Sequence, residues 1–219
     1  MASLISIIPE LERIKKIDDF TDIVKLADFV YSIVSHGPPT YQMNISDLRG
    51  IYNDFKSQKS FGWCYANAVF MHLILRQYNR DSFIYDYGLR DERITHTVVI
   101  CVLKDEKYLI DPYFSRYYAD SNEIPLSFNS LLTNIRNGNK IISIYGKSKK
   151  LVKQGNDLVP MNPEIFEQSV LGGWKAECNF DNALMKKFNS VDALKLIPLK
   201  IQKGRVITKA DGQCYYEFF

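Results

Sequence analysis

The sequence predicts an α+β protein with a helical N-terminal lobe, a central buried helix that starts at a cysteine, and an antiparallel β-sheet downstream. Three observations carry this. Residues 1–57 place apolar side chains at helical spacing, and Cys64 to Leu75 is apolar on every side with no proline or internal glycine. From Ser82 to Pro112 the pattern changes to short runs of aromatic and β-branched residues.

The elements follow in order. Asp18 to His36 reads as an amphipathic helix with Phe20, Ile23, Val24, Ala27, Val30, Ile33 and Val34 on one side, ended by Gly37-Pro38-Pro39. A second helix starts near Ser46 as N-cap and carries Leu48, Ile51, Tyr52 and Phe55. A polar segment, Lys56 to Ser60, leads into the cysteine helix, with Gly62 permitting the sharp turn. Ser82 to Tyr87 reads as a strand and Gly88 to Glu92 as a loop. Thr95 to Leu103 and Tyr108 to Pro112 form the clearest hairpin, its tip within Lys104 to Lys107. Beyond it, Phe128 to Arg136, Pro163 to Leu171 and Asn182 to Phe188 read as helices. Lys140 to Tyr145, Leu194 to Ile201 and Cys214 to Phe219 read as strands, the last closing a sheet edge.

Composition bounds the function. The chain has 219 residues, of which 46% are hydrophobic and 24% charged, values of an ordinary soluble globular protein. A net charge of +3 is too small to point to nucleic acid, and the run Lys147-Ser148-Lys149-Lys150 with Lys153 reads as a solvated turn between strands. No apolar stretch reaches the roughly 18 residues of a membrane span. The N-terminus lacks the basic region and cleavage site of a signal peptide. Cys64, Cys101, Cys178 and Cys214 are widely spaced, which fits neither a disulfide framework nor a zinc knuckle, and a reducing cytoplasm is the expected setting. Neither a Walker loop nor GxGxxG is present, so no cofactor is expected.

The chemistry centres on Cys64. A thiol in the first turn of a helix meets unpaired backbone N–H groups and the positive end of the helix dipole, and both favour thiolate. An even-membered hairpin loop puts His96 and Asp111 on one face as near-diagonal neighbours, whichever two residues form the tip. Cys64 is then the nucleophile of a Cys-His-Asp triad, His96 the base that takes its proton, and Asp111 the group that orients the imidazole. The backbone N–H of Cys64 would serve the oxyanion, and Trp63 is either a substrate-facing wall or a core anchor. His72, about 12 Å along the helix from Cys64, reads as a core histidine with a local partner. His36 reads as a helix C-terminal residue favoured by the dipole, and Cys101, on the face opposite His96, as buried and inert. No second Cys or His stands at ligand spacing, so no metal is expected at these residues.

Gly62-Trp63-Cys64 opening a helix, His96 opening a strand, and Tyr108-Leu109-Ile110-Asp111-Pro112 beyond it together resemble the transglutaminase-like, papain-like core. The stretch is also similar to arylamine N-acetyltransferases, although Lys59-Ser60-Phe61-Gly62 stands where that family has an arginine and two glycines ahead of Trp-Cys. The resemblance spans Ser57 to Phe114. It implies a cysteine helix packed on an antiparallel sheet bearing the histidine and aspartate, acyl chemistry on the thiol, and the interval of Gln58 from Cys64 that papain-like proteases use for their oxyanion glutamine. The expected organisation is a helical lobe at 1–57, a transglutaminase-like core at 58–145 and a C-terminal extension at 146–219 packed on that core. The expected function is a cysteine-dependent peptidase or amidase working through an acyl-thioester, its partner a peptide, amide or acyl-thioester substrate. The alternatives are transfer of an acyl group from coenzyme A or a carrier protein to an amine, and a binding module that keeps the fold without the chemistry.

Overall fold

The computed structural model describes residues 4–37, 43–88, 95–173 and three strands at 197–199, 204–208 and 214–218. A short helix α1 (Leu4–Ile7) and a 3-10 turn (Pro9–Arg13) precede α2 (Phe20–Ile33). Asp19 caps α2 by accepting the backbone N–H of Asp22 at 2.9 Å. The helix stops before the expected His36, because His36 instead exchanges backbone hydrogen bonds with a later strand, its N–H to the Leu151 carbonyl and its carbonyl to the Lys153 N–H. In α3 (Leu48–Lys56) the cap is Asp47, which accepts from Gly50 N–H at 2.8 Å, and not Ser46 as expected. The third long helix, α4 (Cys64–Gln77), begins at the cysteine. Asn67 to His72, Ile74 and Leu75 are all buried, which explains why its sequence shows no polar face.

The strands β1 (Ser82–Gly88), β2 (Thr95–Leu103), β3 (Glu106–Asp111) and β4 (Arg116–Ala119) run antiparallel. After α5 (Phe128–Arg136), strand β5 (Ile142–Tyr145) pairs with β4. A hairpin of β6 (Lys150–Gln154) and β7 (Asp157–Met161) leads into α6 (Pro163–Gly173). The last described strands are β8 (Ile197–Leu199), β9 (Gly204–Thr208) and β10 (Cys214–Phe218). The main sheet has the order β5-β4-β3-β2-β1-β8. The protein is therefore a mixed fold of helices and antiparallel sheet, as expected. One strand assignment changes: β8 takes the edge beside β1, whereas β10 pairs with β9 in a separate sheet and closes no edge of the main one. The expected helix over Asn182–Phe188 and most of the Gly88–Glu92 loop lie outside the described residues.

Register decides the site. Val99 faces Ile110 and Leu103 faces Glu106, so the loop is Lys104-Asp105, with φ of 49° and 66°. Two consecutive left-handed residues make a type I′ turn, whose twist matches the flanking strands. Continuing the pairing sets Asp111 across from Val98, two residues along from His96. Val99, Cys101 and Leu103 enter the core shared with α2, α3 and α4, and Ile84 and Ile110 join them from the neighbouring strands. The β6–β7 hairpin turns at Gly155-Asn156, where Gly155 takes a φ of 62°.

Candidate active site

Three chain segments converge on the first turn of α4. Gly62 donates its N–H to the Ser35 carbonyl at 2.9 Å, tying the entry of α4 to the exit of α2. A Cβ on Gly62 would come within 2.5 Å of the Ala66 Cβ and 2.9 Å of a Val34 methyl. The glycine at this entry is therefore needed for close approach of two chain segments, and its φ is not left-handed. Trp63 is the N-cap residue of α4 and offers no side-chain hydrogen bond to the first turn. At 43% exposure it is no core anchor, and it stands at the surface beside Cys64.

Cys64 is half-buried at the first position of α4. Its Sγ lies 3.7 Å from Thr97 Oγ1, and it hydrogen-bonds to His96. The His96 ring is 2% exposed, and its Nε2 is 2.8 Å from Asp111 Oδ2. Phe114 stacks on the imidazole with ring centroids 5.3 Å apart. Asp111 is fully buried and saturated: Oδ2 also accepts from Arg116 Nε at 3.2 Å, and Oδ1 accepts the N–H groups of Tyr113 and Phe114 at 3.1 and 3.2 Å. The carboxylate that ends β3 thus serves two purposes, holding the imidazole and closing the turn into β4. Cys64, His96 and Asp111, widely separated in sequence, form one connected line.

Electrostatics reinforce the line. Burial pulls the His96 imidazole toward neutrality, but the Asp111 charge and hydrogen bond, with a further hydrogen bond to Cys64, overcome it and raise its pKa to about 10. Burial likewise opposes ionisation of Asp111. The His96 charge and hydrogen bond, Arg116 and the Phe114 N–H outweigh that cost and hold its carboxyl below the usual range. Both shifts favour the ionised form of the pair.

The surround contains residues that the sequence reading did not single out. Arg116 is fully buried, and its Nη1 donates to Glu167 Oε1 at 2.5 Å, while Glu167 Oε2 accepts from the Tyr145 hydroxyl at 2.6 Å. Lys150, expected in a solvated turn, is fully buried at the start of β6. Its Nζ donates to the Val34 carbonyl at 2.7 Å and to Asn67 Oδ1 at 2.8 Å, and lies 4.7 Å from the centre of the Tyr31 ring. Burial, opposed in part by the Asp111 charge, lowers its pKa well below the ordinary lysine value. The signal for β6 was present, since Gly155-Asn156 between the short runs Leu151-Val152 and Leu158-Val159 is a hairpin turn signature.

The remaining candidates sort as follows. Gln58 is exposed at the end of α3 with φ of 57°, its N–H on the Phe55 carbonyl, and it makes no side-chain hydrogen bond to the triad residues. Its position is that of the left-handed residue that stops a helix. His72 meets Ser82 Oγ at 2.8 Å within the core, as expected, and burial followed by the Arg76 charge lowers its pKa to about 4. His36 is not the charged helix end that was expected. It packs against Tyr113 and Phe166, its Nδ1 meets the Tyr113 hydroxyl at 2.8 Å, and burial followed by the Lys150 charge lowers its pKa to about 4. Cys101 is buried as expected, and burial pushes its thiol far up. Cys178 lies outside the described residues. Among the described residues no helix is long and apolar enough to cross a membrane, and no cluster of three or more His, Cys, Asp or Glu has metal-site geometry.

No protein-family model matches the chain, and no curated protein is similar to it. Among solved structures it is similar to arylamine N-acetyltransferase C from Bacillus anthracis, at 12% identity and a TM-score of 0.35 over 95% of this chain and 90% of that one. It is also similar to an arylamine N-acetyltransferase from Bacillus cereus described as having a Cys-His-Glu triad, at 11% identity and a TM-score of 0.33 over 93% of this chain and 86% of that one. In the present chain the acid bonded to the histidine is an aspartate, Asp111.

Proposed function

We propose that the chain is a cysteine-dependent acyl-transfer enzyme that works through an acyl-thioester on Cys64, with His96 as the acid-base group and Asp111 as the residue that orients it. The observation that carries this reading is the connected Cys64–His96–Asp111 line, with the imidazole buried between the sulfur and the carboxylate. In the reaction Cys64 Sγ, its proton held by His96, attacks the carbonyl carbon of an amide, ester or thioester. The carbonyl oxygen becomes an oxyanion at the N-terminus of α4, where the Cys64 N–H is a donor. His96 gives the proton to the departing group, and the acyl-thioester remains. The incoming nucleophile then loses its proton to His96 as it displaces the thiol.

Hydrolysis, the first expectation from the sequence, and transfer share every step up to the thioester. They part only at the acceptor, which is water in one and a bound nucleophile such as an amine in the other. No residue is assigned here to coenzyme A or to a carrier protein.

The test is acylation by 4-nitrophenyl acetate, followed by intact-protein and peptide mass spectrometry. An acetyl group on Cys64 whose lifetime shortens when aryl or alkyl amines are added supports transfer. A lifetime set by water alone returns the reading to a hydrolase. Absence of any adduct on Cys64 would leave a binding module.

A further inference from the structure

We propose that Lys150 is a positioning residue for the nucleophile, acting through Asn67 on the turn that carries Cys64; this rests on the reading of Cys64 as the reacting thiol. The path is short and each step is a hydrogen bond. Lys150 Nζ donates to Asn67 Oδ1 at 2.8 Å, which orients the amide, and Asn67 Nδ2 donates to the Trp63 carbonyl at 2.8 Å. That carbonyl belongs to the peptide that joins Trp63 to Cys64, and it also accepts the Asn67 backbone N–H at 3.2 Å. The first turn of α4 is thus held from inside by a side chain that is 0% exposed, in addition to its own helical bond.

The surroundings of Lys150 fit this use and no solvent-facing one. A lysine amino group has two N–H donors when neutral and a third when charged. Two point at the Val34 carbonyl and Asn67, and the rings of Tyr31, Tyr113 and Phe166 lie 4.7, 5.4 and 5.6 Å from Nζ. The aromatic faces offer the third donor a π-acceptor. The Val34 bond joins the end of α2 to the same point, so Lys150 fixes the start of α4 relative to α2. Tyr113 is shared with the triad: its N–H bonds Asp111 and its ring lies 5.9 Å from that of His96. The segment after β5 therefore supplies a side chain to the packing around the site.

A lysine that merely fills space would leave the behaviour of Cys64 unchanged in whatever protein still folds. The experiment is the rate of iodoacetamide labelling at Cys64 from pH 5 to 9, read by peptide mass spectrometry, for wild type, Lys150→Met, Asn67→Leu and the double variant, with circular dichroism to confirm the fold. Each single change is expected to lower the Cys64 rate at pH 6 by at least tenfold and to move the profile toward that of a free thiol. The double variant is expected to be no slower than the slower single, because both substitutions cut one path. Single variants that label like wild type, or losses that multiply in the double, would overturn the proposal. If Lys150→Met does not fold, Asn67→Leu decides alone, since it keeps Lys150 among its rings. The readout needs no substrate, so a failure of ester acylation in wild type counts against the enzymatic reading and leaves this result to be judged separately.

Discussion

Arg116 and Lys150 are both fully buried basic side chains beside the same site, yet they are accommodated by opposite means. Arg116 sits between two carboxylates, Asp111 and Glu167, and its guanidinium completes a set in which His96 and Arg116 balance Asp111 and Glu167 charge for charge. Among the described residues Lys150 contacts no carboxylate. It has a carbonyl, an amide oxygen and aromatic faces, all neutral. The difference shows in the titration, because the charges around Asp111 keep it ionised against burial while burial prevails at Lys150. The Asp111 side of the site is thus a charge network that fails if one member is removed, and the Cys64 side is a polar clamp that loosens.

The largest expected effect tests the network. Asp111→Ala leaves His96 and Arg116 buried without their shared partner, and removing one member of a buried pair costs about 3–5 kcal/mol. Chemical denaturation is expected to show a loss of that size together with loss of Cys64 reactivity. Arg116→Met is expected to destabilise comparably, through the buried Glu167 it leaves behind. Lys150→Met should cost less, about 1–3 kcal/mol for the acceptors it leaves unmet. Equal losses for Arg116→Met and Lys150→Met in the same denaturation series would erase the distinction between network and clamp.

A smaller effect lies in the pH dependence. His36 and His72 have a pKa of about 4 when folded, against 6.5 for the free side chain. The unfolded chain therefore binds more protons between those values, so the stability linked to these residues is present above pH 6.5 and is lost as the pH falls toward 4. His96 runs the other way. Its pKa is raised, so its contribution is complete below pH 6.5 and is lost as the pH rises through about 10. Thermal melts of His72→Gln are expected to show a shallower decline from pH 6.5 to 4 than wild type. An unchanged acid limb would mean that the core histidine is not buried as a neutral ring. The smallest change in stability is expected for Trp63→Ala, within about 0.5 kcal/mol for an exposed residue. Its effect should fall instead on the acylation rate with aromatic against small acyl esters.

Much of this site was legible in the sequence because it rests on local rules. The start of α4 at Cys64 followed from an apolar run without breakers, and the pairing of His96 with Asp111 followed from the parity of a hairpin loop. Lys150 was not legible for the opposite reason. The residues just before it, Lys147, Ser148 and Lys149, are charged and polar, while its partners in space come from α2 and its end (Tyr31, Val34), α4 (Asn67) and α6 (Phe166). Arg116 was hidden too, since only the turn after Pro112 brings it back across from Asp111. Gln58 shows the converse error of reading an interval alone: the spacing from Cys64 suggested an oxyanion donor, whereas its backbone conformation and exposure are those of a helix stop.

The reaction-centre claim is that Cys64 and His96 act as one unit, and iodoacetamide labelling of the native protein from pH 5 to 9, resolved by residue and repeated with His96→Ala, tests it most directly. Cys64 is expected to label selectively below pH 7 in wild type and to label only at the pH of a free thiol in the variant. Labelling of Cys64 no faster than a free cysteine at every pH, or an identical profile in His96→Ala, would contradict it.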